Sequence, residues 1–269
     1  MLGARLSQPG WQDAGVGLVR TSRPVPVEEC EWTFPKPGRR SGRDGLLAIG
    51  ADLSPSTLVY AYRHGVFPWP HDDAPLPWFS PNPRGILPLD HLQVSKSLRQ
   101  RLRRCGWTTT MDRAFDEVIL ACSQRPDGSS TWIEPAMIAA YNELHRLGWA
   151  HSLEVWDGAR LVGGLYGMLL GGVFTGESMF HHETDASKVA IVDLTDRLLE
   201  AKGAFVDVQL VTDHLASLGA IAIGRPLFLE LLAECRDDEV QLLTDELDVA
   251  RLAAPSASAV PHRVEQGSR

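Results

Sequence analysis

Between positions 107 and 232 the apolar residues switch repeatedly between two periods. "WTTTMD" and the long run "AHSLEVWDGARLVGGLYGMLLGGVFTGESMF" carry them on alternate or continuous positions, as strands do. "RAFDEVILACSQ", "EPAMIAAYNELHRLG" and "DASKVAIVDLTDRLLEAKG" carry them three and four apart, as amphipathic helices do. The long run predicts three successive strands, with Asp157-Gly158 as a type I′ hairpin signal. Gly163, Gly164, Gly167, Gly171 and Gly172 predict bulges or places where another chain comes close. "PDGSSTWI" predicts a turn. Pro135 in a first turn and Gly148 after the last bound the second helix; Asp185 or Ser187 caps the third, and Gly203 ends it. "FVDVQL" then predicts a strand, "TDHLASLGA" a turn with a short helix, and "GRPLFLELLAEC" a last helix opened by Pro226.

Upstream, Leu58, Ala61 and Tyr62 give a helical stripe capped by Ser54 or Asp52, begun at Pro55 and ended by Gly65. Seven prolines lie between Pro68 and Pro88. That density predicts an aromatic-lined loop, barred from helix and interior strand. It serves either as a clasp between lobes or as a pocket wall. Residues 90–104 predict a basic helix. Lys96, Arg99 and Arg103 fall within about 60° on the wheel. Arg104 lies at their margin, and Leu98 and Leu102 face the other way. The leucines dock such a helix; its cations either face solvent or meet a phosphate backbone.

The order of elements is that of an α+β protein. Residues 1–40 read as a loosely ordered leader touching the fold through Trp32 and Phe34. Residues 41–105 read as a small N-terminal α/β domain, 106–235 as the main domain, and 236–269 as an acidic, disordered tail. The 269 residues are 44% apolar, ample for a core. No apolar run approaches the roughly 18 residues of a membrane span, and no secretory h-region opens the chain. Of the net charge of −8, eight acids against Arg236 put −7 between Glu230 and Asp248, leaving the rest near neutral. Cys30, Cys105, Cys122 and Cys235 are scattered, with no CxxC pair. They suit a reducing, cytoplasmic setting rather than a disulfide framework or zinc site.

Four chemistries can be weighed. "HHETD" at 181–185 sets two histidines side by side, where their rings point apart, and HExxH is absent; a metal site is not expected. Ser178 in "GESMF" lacks the second glycine and the elbow of a nucleophilic serine. No phosphate-cradling glycine motif follows a strand. What remains is polar residues in apolar strands: Glu177 between Phe174 and Met179, and Asp207 with Gln209 in "FVDVQL". Residues two apart share a strand face, so Asp207 and Gln209 are expected side by side. Buried without partners, each costs about 1–3 kcal/mol. They are either satisfied core groups or the few placed polar groups of a pocket.

"GLLAIGADLSPSTLVYAYRHGVFPW", "WFSPNPRGIL", "STWI", "HSLEVWDGARLVGGLYG", "FTGESMF", "ASKVA" and "DVQLVTDHLASLGA", in this order over 45–232, resemble the leucyl/phenylalanyl-tRNA–protein transferase family. The resemblance implies a C-terminal N-acyltransferase-like (GNAT-like) domain with a smaller N-terminal domain. It implies an aminoacyltransferase that moves Leu or Phe, and sometimes Met, from aminoacyl-tRNA to proteins with N-terminal Arg or Lys. The new N-terminus marks them for N-end-rule degradation. A cytoplasmic monomer is expected, without membrane partner, cofactor, metal or covalent intermediate. By motif matching, Asp207 and Gln209 are the implied catalytic pair, Asp207 polarising the carboxamide of Gln209, which positions the amine. Leu165, Phe174, Met179, Ile191, Leu194 and Val206 match the donor side-chain pocket, and Glu177 meets the incoming substrate. Trp69, Trp132 and Tyr141 match positions near the terminal adenosine. Lys96, Arg99, Arg103 and Arg104 match an acceptor-stem patch. The competing reading is an acyltransferase of related fold with another acyl carrier.

Overall fold

Ser54 caps the first helix, its Oγ accepting from the Thr57 N–H at 3.4 Å, with Pro55 in the first turn. The computed structural model of the chain describes residues 18–38, 45–70, 75–124 and 131–253. In chain order they form β1 Leu46–Ile49, α1 Pro55–Arg63, β2 Phe67–Pro68, β3 Pro77–Phe79, β4 Arg84–Pro88, α2 Lys96–Arg104, β5 Thr108–Met111, α3 Phe115–Ser123 and α4 Pro135–Arg146. There follow β6 Ala150–Asp157, β7 Arg160–Leu170, β8 Val173–His181, α5 Ala186–Glu200, β9 Phe205–Gln209, α6 Asp213–Ala216, β10 Ile221–Ile223, α7 Arg225–Cys235 and β11 Leu247–Asp248. A 3₁₀ turn, Val249–Ala253, closes the described chain.

A small sheet runs β1-β3-β2 and a large one β10-β4-β9-β8-β7-β6-β5-β11. Neighbours in the large sheet are antiparallel except β8 and β9, which are parallel and joined across α5. β7 shows how the layers arise. Leu165 and Leu169 join a core with Ile191 and Leu194 of α5 and Leu98 and Leu102 of α2. Tyr166, Met168 and Leu170 join a second core with Tyr62 of α1, Phe115 of α3 and Met137 of α4. Helices therefore cover both faces, and each fully buried apolar side chain contributes about 1.5–3 kcal/mol. Gly167 sits where β7 shifts register against β8; a Cβ there would lie 2.1 Å from the Thr175 carbonyl oxygen.

Four expectations need correction. The proline-rich stretch does hold strands, and β4 is interior, between β10 and β9. Its prolines are tolerated because they fall at strand ends: Pro68 ends β2, Pro77 starts β3 and Pro88 ends β4. Within the β6–β7 hairpin the loop residues are Gly158 and Ala159, and only Gly158 has positive φ, which fits a type II′ turn rather than I′. The division at 105 also fails, since β4 and the leucines of α2 belong to the large sheet's core. Finally, 236–253 is packed, with Leu242, Val249 and Leu252 in the α5 core. Residues 254–269 lie outside the described residues, as do 1–17 of the leader.

Candidate active site

Strands β8 and β9 pair only from Val173↔Phe205 through Phe174↔Val206 to Thr175↔Asp207, then part. A cavity of about 280 Å³ opens in the gap. Its wall is apolar apart from Glu177, Ser178, Gln209, Thr212 and two indoles.

The end of β9 does not keep the simple alternation. Gly85 of β4 faces Gln209 and Ile86 faces Asp207, so Val208 is an extra, bulged residue. Gln209 itself has φ 58°, the left-handed region, where a non-glycine residue is strained by about 1–3 kcal/mol. The Asp207 carboxylate holds this turn, its Oδ1 accepting from the Gln209 N–H at 3.0 Å. Val206 and Val208 line the cavity, Asp207 does not, and the turn brings Gln209 to the wall with the valines. The expected shared face of Asp207 and Gln209 is thus corrected by a bulge and a left-handed residue. Gly85 makes room: a Cβ there would lie 3.0 Å from Val208 Cγ2, Val211 Cγ2 and the Leu210 carbonyl carbon.

Asp207 is sealed behind the wall, 2% exposed. Arg84 grips it with two bonds, Nε to Oδ1 at 2.8 Å and Nη2 to Oδ2 at 2.6 Å. Thr175 Oγ1 adds a longer contact at 3.4 Å. Arg84, equally buried, donates to the Gly65 carbonyl and lies over the rings of Phe67 and Phe228. The hydrogen bonds of Asp207 go to Arg84, Thr175 and the backbone N–H of Gln209, and none reaches the Gln209 carboxamide.

The carboxamide meets Glu177 instead. Gln209 Nε2 donates to Glu177 Oε1 at 3.1 Å, and Tyr141 Oη donates to Oε2 at 2.9 Å. Tyr141 and Tyr62 share a further hydrogen bond. Removal from bulk water pushes the Glu177 carboxyl up to about 7; bonds from Tyr62 and Tyr141 pull the other way, Asp207 raises it and Arg84 lowers it. Burial holds the phenols of Tyr62, Tyr141 and Tyr166 well above their usual range, so they stay neutral.

Leu165, Phe174, Met179, Ile191, Leu194 and Val206 all line this cavity, as do Trp69, Trp132, Glu177 and Gln209. Tyr141 does not. It is fully buried between α4 and Glu177, with no face open for a base to stack on. Lys96, Arg99, Arg103 and Arg104 lie on α2, docked through Leu98 and Leu102. Among the described residues none of these four cations has a carboxylate in ion-pair contact. Arg84 and Tyr62 were missed. The only signal for Arg84 was its place, with Gly85, between the prolines and an apolar strand; Tyr62 was absorbed into a helical stripe. Among the described residues no cluster of three or more His, Cys, Asp or Glu could hold a metal, and no helix is long and apolar enough to cross a membrane.

Two family domains match the chain: leucyl/phenylalanyl-tRNA protein transferase over residues 86–233 and its N-terminal domain over 51–82. A leucyl/phenylalanyl-tRNA–protein transferase of Pseudoalteromonas atlantica is 53% identical over 75% of this chain and 87% of its own length. One from Syntrophobacter fumaroxidans is 52% identical over 76% and 88%. Among solved structures, L-PGS from Bacillus licheniformis overlaps 61% of this chain and 55% of its own at 14% identity, with a TM-score of 0.34, too low to assign a fold.

Proposed function

The chain belongs to the leucyl/phenylalanyl-tRNA–protein transferase family, whose members are aminoacyltransferases, and from that premise we propose that it moves Leu, Phe and Met from aminoacyl-tRNA to the N-terminal amine of proteins beginning with Arg or Lys. The product would carry a destabilising N-terminus, and a tRNA donor sets the reaction in the cytoplasm. The observation that carries this reading is the apolar cavity in the gap between β8 and β9, with Gln209 and Glu177 on its wall. At about 280 Å³ it lies near the lower end of small-molecule sites, a size that suits one amino-acid side chain. The flexible Met179 adapts the cup to branched or flat donors. An aminoacyl ester is already activated, so its conversion to an amide runs downhill. The protein's task is to juxtapose ester and amine, worth up to about 7–11 kcal/mol. Trp69 and Trp132 offer ring faces for the terminal adenosine, at about 1–3 kcal/mol per stacked base, and the cations of α2 suit the acceptor stem. A parallel pair that parts around the donor also supports an N-acyltransferase-like arrangement for the large sheet.

In this reading Gln209 positions the acceptor amine while Asp207, clamped by Arg84, fixes the backbone of Gln209. Incubation with labelled Phe-tRNA and a peptide beginning with Arg should put label into the peptide, and acyl-CoA should not replace the tRNA. Gln209→Ala should slow transfer by about 10²-fold, the usual cost of a reacting group misplaced by an ångström. Transfer undiminished in the Asp207→Ala/Gln209→Ala double variant would refute the site, and retention of tRNA without product would refute the activity.

A further inference from the structure

We infer that Glu177 is the group that takes the proton from the attacking amine, with Gln209 aligning one of its oxygens and the Tyr141–Tyr62 pair holding the other. The inference rests on the aminoacyl transfer proposed above and names the base that transfer uses.

Glu177 is the one ionisable side chain on the described cavity wall. Asp207 has no opening onto that wall, and both its oxygens are held by Arg84. A neutral carboxamide such as Gln209 is too weak a base to accept an ammonium proton, and it spends its N–H on Glu177. Glu177 thus receives one donor on each oxygen, Gln209 from β9 and Tyr141 from α4. That leaves the remaining lone pairs of Oε1, beside Gln209, for an amine in the cavity.

The step balances without any further reactant. The amine nitrogen bonds to the ester carbonyl carbon, and the bond from that carbon to the ribose oxygen breaks. One amine proton passes to Glu177 and from Glu177 to the leaving ribose oxygen, so the carboxylate is regenerated. A base with a pKa close to the working pH both accepts and returns a proton efficiently, and burial brings Glu177 to about 7. The charged and titratable groups around it are Tyr62 of α1, Tyr141 of α4, Tyr166 of β7, Arg84 of β4 and Asp207 of β9. Cys122 of α3, beside the neighbouring Ser178, is pushed up to about 12 by burial. The three phenols and the thiol stay neutral through the neutral range, so Glu177 alone among them changes charge near pH 7.

The test is kcat/KM against pH, from 5.5 to 9, for two acceptor peptides whose N-terminal amines differ in pKa. Wild-type protein should show two acidic limbs. One moves with the peptide's amine; the other stays near 7 for both peptides. Glu177→Gln should lower kcat by about 10²–10⁴-fold, the usual worth of a general base, and abolish the fixed limb. Tyr141→Phe removes a bond that favours the charged carboxylate, so the fixed limb should move to higher pH. A merely structural role for either residue would lower the rate without moving a limb. The inference is overturned if Glu177→Gln, folded by circular dichroism, keeps its rate within threefold or keeps the fixed limb. It is equally overturned if Tyr141→Phe leaves the limb in place. Absence of transfer by the wild-type protein would instead overturn the parent reading.

Discussion

Arg84 and Asp207 are each almost wholly removed from water, at 1% and 2% exposure, so neither can leave without stranding the other's charge. Loss of one partner of a buried pair costs about 3–5 kcal/mol, whereas replacement of both by apolar groups of similar volume is often nearly neutral. Arg84→Met should therefore lower the unfolding free energy by about 3–5 kcal/mol in urea melts, and Arg84→Met/Asp207→Leu should recover part of that loss. A single variant costing under about 1 kcal/mol would match an exposed pair instead. The double variant should still transfer poorly, because the N–H of Gln209 then has no carboxylate to hold its left-handed turn. Asp207 and Gln209 stood out in the sequence as polar positions in an apolar strand. Their division of labour did not, because local alternation puts them on one face. Only the pairing of β9 with β4 reveals the bulge at Val208 that separates them.

Helix α2 separates docking from recognition along its own length. Leu98 and Leu102 are buried, at 2% and 0% exposure, while Lys96, Arg103 and Arg104 are exposed. Substituting Lys96, Arg99 and Arg103 by Ala should leave thermal stability almost unchanged. It should weaken Phe-tRNA binding and lower the slope of log K against log salt by about 2–3, since each of the three phosphate contacts adds a little under one. An unchanged slope would refute the patch. This element was legible because helical periodicity and side-chain chemistry are local properties. β4 was not: the surrounding prolines argued against an interior strand, yet its one proline, Pro88, is its last residue.

At the scale of the molecule, the two ends of the described chain meet. The Thr21 N–H donates to the Leu242 carbonyl at 2.8 Å, and the Thr244 N–H to that of Val19 at 2.9 Å. Buried Arg197 of α5 pairs with Asp193 at 2.7 Å and donates to the carbonyls of Leu243 and Asp245. Arg251 also pairs with Asp193. Leu242 lies fully buried in the α5 core, so Leu242→Ala should cost about 2–5 kcal/mol in denaturant melts; a cost near zero would mean that 236–253 contributes nothing to the core. The sequence by itself determined the helices, most strands, the family and ten of the eighteen residues that line the cavity, because periodicity, caps and ordered motifs are written in neighbouring positions. Tertiary structure alone decided three things: that β4 is interior, that Asp207 turns from the cavity while Gln209 turns into it, and that an acid-rich segment packs as core. Each depends on register and on partners distant in sequence, such as Arg84 for Asp207 and Arg197 for 243–245. A single-residue shift in pairing exchanges the faces of a strand, and nothing in the strand's own residues reports it.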